Sequence, residues 1–220
     1  MSRKRPKLRR IVAAVLVVLA ALAAYAAIPR RADLTAFDPA ETARLETLMW
    51  RHYYDKRFFA LFGDLYQLAR EQDGFSPLDS ARIAVAAARA AQAFQPSMSR
   101  ADAQAVVPLL IDYFALMAPG APEPVDIVAA ARTELEWWQA RRESAKPESY
   151  GLTIARVSSL VYGVDDDDMR AFGILRAQAM EFRDARGKDI TEADWAAIEQ
   201  QLVAAYQHLK RAVSRRTKIG

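Results

Sequence analysis

The sequence predicts an all-α protein in which a single N-terminal transmembrane helix precedes a bundle of about seven helices. An uncharged, apolar run occupies residues 11–28. The rest of the chain contains helix-capping motifs and lacks the alternating apolar pattern of strands. Because the predicted helix starts follow no fixed period, a single bundle is favoured, and an irregular α-solenoid is the alternative.

The N-terminal apolar run is long enough to cross a bilayer. Its 18 residues would span ~27 Å as a helix, close to the roughly 30 Å of a hydrocarbon core. Six basic residues precede the run and two follow it, so the positive-inside bias predicts a cytoplasmic N-terminus and an exported C-terminal domain. Ala24-Tyr25-Ala26 also fits a signal-peptide cleavage site, and cleavage is therefore the alternative to an uncleaved anchor.

The chain is expected to divide into five segments. They are a basic cytoplasmic segment (1–10), the anchor or uncleaved signal (11–28), a linker (29–38), an exported helical domain (39–214) and a basic tail (215–220). The Ala- and Arg-rich composition suggests a bacterial protein, which places the anchor in the inner membrane and the domain in the periplasm. The sequence contains no cysteine, so disulfides and thiolate metal sites are excluded.

The net charge of +4 combines two oppositely charged parts. All 27 acidic residues follow residue 31, so residues 32–220 contain 27 acidic and 23 basic groups, a net charge of −4. A nucleic-acid-binding domain needs a basic patch, which this composition does not favour. We therefore expect membrane lipid as a partner of the N-terminal helix and no nucleic-acid partner.

Capping motifs locate the helices of the body. Asp38, Ser76, Ser99 and Thr191 are each followed three residues later by an acidic residue, as in a capping box. Pro108 is expected to kink the helix in which it lies or to free a carbonyl group. The predicted helices cover residues 39–73, 77–94, 100–117, 124–145, 149–163, 166–186 and 192–214.

The first predicted body helix contains the main candidate for chemistry. His52 and Asp55 fall on one helical face, where a carboxylate can orient an imidazole. With Glu134 they form the candidate catalytic or ligand-binding set of a helical enzyme. A core histidine with a hydrogen-bonding partner is the favoured interpretation, because no hydrolase, phosphate-loop, zincin or di-iron motif accompanies the pair. We expect no enzyme activity, metal site or cofactor.

Two segments combine aromatic and arginine side chains, the residue types that most often anchor protein interfaces. One segment lies in the first predicted body helix, and the other lies near the end of the fourth. The alternative is that each packs into the core on one side and stacks arginine on the other. The predicted partner-binding residues are Trp50, Arg51, Tyr53, Tyr54, Arg57, Phe58, Trp137, Trp138, Arg141 and Arg142.

These features together favour a membrane-anchored accessory or assembly protein whose exported domain binds another envelope or membrane protein. One alternative is a helical enzyme or a metal- or ligand-binding bundle that uses His52, Asp55 and Glu134. A further alternative is a domain that holds lipid or another apolar ligand between its Ala-rich helices. The observation that bears most directly on the choice is whether the segments Trp50–Phe59 and Trp137–Arg142 face each other in the core or stand on the surface.

Overall fold

The computed structural model describes residues 5–27, 31–143 and 145–216. The predicted segments 1–10, 11–28, 29–38 and 215–220 therefore lie partly outside the described residues. Within the described ranges the chain is helical and contains no strand, which confirms the all-α class. The helices are α1 (Arg5–Ala27), α2 (Pro39–Tyr54), α3 (Phe58–Gln67), α4 (Pro77–Phe94), α5 (Arg100–Ala103), α6 (Val107–Met117), α7 (Ile127–Arg142), α8 (Pro147–Tyr162), α9 (Asp167–Arg186) and α10 (Glu192–Arg216).

The described part of the body has nine helices, and not about seven, because two predicted helices are interrupted. The prediction of one helix over 39–73 was wrong. The chain leaves the helix after Tyr54, Lys56 adopts a positive φ of 57°, and α3 begins at Phe58. A single π-helical turn, Leu68–Gln72, continues α3.

The second interruption divides the predicted helix 100–117 into α5 and α6. A short 3₁₀ turn, Gln104–Val106, separates them, and Pro108 occupies the first turn of α6. Proline lacks an N–H group and is best tolerated at the start of a helix. The disturbance predicted at this proline is confirmed.

The predicted N-terminal caps are present. The carboxylate of Asp38 accepts a hydrogen bond from the backbone N–H of Glu41 at 2.8 Å. Thr191 and Asp194 form a reciprocal capping box, with distances of 3.2 Å and 2.9 Å between side-chain oxygens and backbone nitrogens. Ser76 and Ser99 cap α4 and α5 in the same way. These local bonds explain why the starts of the helices could be read from the sequence.

The helices form a closed bundle. The closest pairings are α8 with α9 and α9 with α10, and α10 packs in turn against α2. The last helix of the body therefore contacts the first, whereas the repeats of a solenoid contact only their neighbours. This closure supports the bundle over the solenoid. Leu34 and Phe37 of the predicted linker are also buried in the core.

Two stretches, Arg9–Ala26 and Arg100–Gly120, are long and apolar enough to cross a membrane, judged by length and composition alone. The second is part of the packed body, where Leu110 and Phe114 of α6 are buried in the core. The first lies in α1, and its apolar side chains are exposed. By these criteria α1 is a candidate membrane anchor.

Basic residues at the end of α10 bind an acidic run at the start of α9. Arg215 donates to Asp166 at 2.7 Å and also pairs with Asp168. The same Asp168 carboxylate contacts Nε of Arg211 at 3.2 Å and Nδ1 of His208 at 2.5 Å. Much of the described C-terminal positive charge is thus paired within the protein.

Candidate binding pocket

The structure brings the two predicted aromatic–arginine segments together. The end of α2 faces the end of α7 across a pocket of about 340 Å³, and residues of α3, α4, α6 and α9 complete its lining. We refer to this feature as the aromatic–arginine pocket. The predicted partner-binding residues that line it are Trp50, Tyr53, Tyr54, Trp137, Trp138, Arg141 and Arg142.

The other three predicted partner-binding residues lie outside the pocket. Arg51 forms an ion pair with Glu192 in the first turn of α10, with Nη1 to Oε2 at 2.8 Å. Arg57 and Phe58 lie at the break between α2 and α3, where both are exposed. The break therefore separates these two residues from the aromatic side chains that precede them.

Tyr54 and Arg141 connect the two sides of the pocket directly. Nη2 of Arg141 donates to the Tyr54 hydroxyl at 2.7 Å, and its guanidinium also binds both carboxylate oxygens of Asp184 on α9. The guanidinium of Arg183 stacks on the Tyr54 ring, 3.0 Å from its centroid. Burial raises the pKa of Tyr54, so its hydroxyl stays protonated at neutral pH. This wall of the pocket is held by several directional contacts.

Arg142 connects α7 to the end of α4. Its guanidinium donates to the carbonyls of Phe94 and Ser97 at 2.9 Å and 2.6 Å, and it lies 3.6 Å from the centroid of the Phe94 ring. Such contacts cap the carbonyl end of a helix. Within the described residues Arg142 has no carboxylate partner, so its positive charge is not neutralised by a direct ion pair.

Two titratable side chains, Glu134 and Arg176, also line the pocket. Glu134 accepts a hydrogen bond from Nε1 of Trp138 at 2.8 Å, and burial raises the pKa of its carboxyl. Arg176 of α9 binds Glu46 with distances of 2.5 Å and 2.8 Å. The same Glu46 accepts a hydrogen bond from the Tyr206 hydroxyl at 2.7 Å. These contacts link α2, α9 and α10.

The predicted set of His52, Asp55 and Glu134 does not form one site. Nδ1 of His52 lies 2.5 Å from a carboxylate oxygen of Asp64 on α3, and both side chains are largely buried. Asp55 is exposed at the end of α2, because the helix that was expected to place it beside His52 stops at Tyr54. Glu134 lines the aromatic–arginine pocket, and the other two do not. The geometry matches a histidine held by a hydrogen-bonding partner.

Neither Arg176 nor Glu46 was among the predicted site residues. Arg176 stands four residues after Phe172 and four before Met180, both of which are buried. A basic side chain within the buried stripe of a helix needs a polar or acidic partner there. The four-residue spacing of Arg176 from two apolar residues was therefore the sequence feature that could have identified it. Glu46 similarly stands three residues after the fully buried Ala43 on α2.

No group of three or more His, Cys, Asp or Glu side chains among the described residues could hold a metal ion. The pocket instead offers aromatic faces, guanidinium groups and one buried carboxyl. This combination is suited to binding by apolar contact and charge. Comparisons of the chain with protein-family models, with curated protein sequences and with solved structures gave no significant match.

Proposed function

We propose that the protein is a membrane-anchored accessory protein whose exported helical domain binds a segment of another envelope or membrane protein in the aromatic–arginine pocket. The observation that supports this proposal is the convergence of two aromatic–arginine segments, far apart in the sequence, on one pocket. Residues of these types contribute most of the binding energy in many protein interfaces.

The size and charge of the pocket favour a particular kind of partner segment. Ligand pockets generally measure about 300–1,000 Å³, and the 340 Å³ available here is near the lower limit. That volume suits one or two side chains better than a large ligand. Arg142 at the pocket offers a positive charge without a direct carboxylate partner within the described residues. The expected segment therefore presents an aromatic or aliphatic anchor beside an acidic side chain.

The candidate anchor in α1 supports the membrane part of the proposal. A tether that confines two proteins to one membrane raises their effective concentration, so a modest pocket affinity is sufficient for assembly. With the N-terminus in the cytoplasm, the bundle would lie on the periplasmic side of the bacterial inner membrane. There the pocket would meet the exported segment of a neighbouring membrane protein.

Affinity capture of the full chain from gently solubilised membranes tests this function. Tyr53 lines the pocket, whereas Phe59 is 98% exposed and lies outside it. The wild type and Phe59→Ala should recover one partner protein in fixed stoichiometry, and Tyr53→Ala should reduce recovery by about tenfold. Recovery of a lone monomer, or equal loss with both variants, would contradict the proposal. Native mass spectrometry of the same samples would reveal a bound lipid or small ligand, which would favour the ligand-binding alternatives.

A further inference from the structure

A second cavity, of about 160 Å³, adjoins the aromatic–arginine pocket, with which it shares Leu65 and Tyr113. It is bordered by the segment before α2, by the π-helical turn and by α2, α6, α8 and α10. We call it the aromatic–carboxylate cavity. The polar and aromatic residues that line it are Phe37, Thr42, Asp73, Tyr113, Tyr162 and Tyr206.

Asp73 supplies the carboxylate of this cavity. It directly follows the π-helical turn Leu68–Gln72, a type of turn that is frequent at functional sites. Among the described residues no donor or basic group binds its carboxylate, although its backbone carbonyl accepts a hydrogen bond from Asp33. Burial raises the pKa of Asp73 to about 7. A partly buried carboxylate that has lost much of its hydration gains free energy when a cation binds beside it.

Thr42 is a second polar group without a partner in the same cavity. Its side chain is 6% exposed, and its Oγ1 has no hydrogen-bond partner among the described residues. Buried polar atoms in folded proteins are nearly always hydrogen-bonded. The unsatisfied Thr42 hydroxyl and the Asp73 carboxylate line the same cavity, which favours a polar or charged molecule there.

We propose that the aromatic–carboxylate cavity binds a small organic cation, such as a quaternary ammonium group. The charge would lie near Asp73, and the methyl groups would contact the faces of the aromatic rings. Aromatic rings and a carboxylate are the groups that recognise such cations, because the ring face is electron-rich and tolerates weakly hydrated charge. This activity is independent of the function proposed for the aromatic–arginine pocket.

Other ligand classes fit the lining less well. A metal ion would require several oxygen or nitrogen ligands, and Asp73 is the one carboxylate among the described lining residues. A neutral apolar ligand would leave the Asp73 carboxylate without an opposite charge.

Calorimetric titration of the full chain in a maltoside detergent tests the proposal, with choline as the cationic probe. The titration is done at pH 8, with sodium chloride as the ionic-strength control. The matched neutral probe is 3,3-dimethylbutan-1-ol, which has the shape of choline without its charge. We expect saturable binding of choline and binding of the neutral probe that is at least about tenfold weaker. Equal binding of both probes, or no binding of choline, would overturn the proposal.

Two sets of variants locate the binding. Asp73→Asn should abolish choline binding, and the variant should remain folded because it removes a buried charge. Tyr162→Leu should weaken binding, whereas Tyr162→Phe, which keeps the ring, should retain it; Tyr162 lines this cavity and not the aromatic–arginine pocket. Tyr53→Ala, in the aromatic–arginine pocket, serves as the control and should bind choline like the wild type. Unchanged binding in Asp73→Asn would contradict the assignment to this cavity.

Discussion

At the scale of single residues, the interior of this bundle is notable for its buried charges. The side chains of Arg176 and Glu46 are only 20% and 3% exposed, and Tyr206 donates to the same carboxylate. Removing two charges from water costs several kcal/mol per ion, which a close and well-hydrogen-bonded pair offsets. Replacing one partner should therefore lower the free energy of unfolding more than replacing both.

Replacement of Arg176 tests this dependence. Arg176→Leu leaves Glu46 buried without its cation and should lower the free energy of unfolding by about 3–5 kcal/mol. The double variant Glu46→Leu/Arg176→Leu should recover much of that loss. Denaturant unfolding of the full chain in mild detergent measures both values. A double variant that is as unstable as Arg176→Leu would show that packing, and not the unpaired charge, dominates.

Asp73 should make stability depend on pH. Its pKa of about 7 in the folded protein exceeds the value of 3.8 for a free side chain, so between these values the folded state holds a proton that the unfolded state has released. The contribution of Asp73 to the free energy of unfolding is therefore complete below about pH 4. It is lost as the pH rises through about 7, by up to roughly 4 kcal/mol. Unfolding midpoints measured in sodium buffers from pH 4 to 8 should show this decline.

Asp73→Asn is the matched control for that pH series. It removes the titrating group, so its stability should fall less between pH 4 and 8 and should exceed that of the wild type at pH 8. Parallel pH profiles for the two proteins would exclude Asp73 as the source of the decline.

At the scale of helices, the pairing of α8 with α9 depends on two glycines. A Cβ atom on Gly151 would lie 2.7 Å from the Cα of Ile174, and one on Gly173 would lie 2.7 Å from the backbone nitrogen of Ala155. Both contacts involve backbone atoms, which cannot move aside as a flexible side chain can. The two helices therefore approach so closely only because neither position carries a side chain.

Gly173→Ala should separate α8 from α9 and lower the free energy of unfolding by about 3 kcal/mol, at the upper end of the usual cost of overpacking. Gly63→Ala in α3 is the control, because a Cβ there meets no atom within 4 Å. That substitution should stabilise the protein by about 0.5–1 kcal/mol, since alanine favours a helix more than glycine does. Denaturant unfolding of both variants checks the comparison, and a tolerated Gly173→Ala would refute the close approach.

Helix starts and helix breaks differ in how far the sequence predicts them. The caps at Asp38 and Thr191 were predictable, because a side chain and a backbone group three residues apart form them. The break at Lys56 was not, because no glycine or proline marks it. Its causes are tertiary: α3 folds back on α2, and Asp64 reaches His52 across the break. The helix propensities of individual residues do not depend on such contacts and so cannot predict the break.

At the scale of the whole molecule, the sequence identified most residues of the aromatic–arginine pocket but not their arrangement. Residue type marked Trp50 and Trp138 as interface candidates. Their meeting across one pocket depends on the packing of helices far apart in the chain, which one sequence does not specify. No sequence motif marked Phe94 as a site residue, although it lines the pocket at the end of α4. Arg176 was identifiable only as a charge in a buried stripe.

The proposed contact between this pocket and a partner membrane protein can be tested in native membranes. Site-specific photocrosslinking tests it most directly, with benzoylphenylalanine placed at Tyr53 or, as a control, at the exposed Gln207 of α10 in the full chain within native membranes. We predict one discrete crosslinked product of higher mass from position 53 and no product of the same mass from position 207. The absence of a product at position 53, or the same product from both positions, would contradict the account.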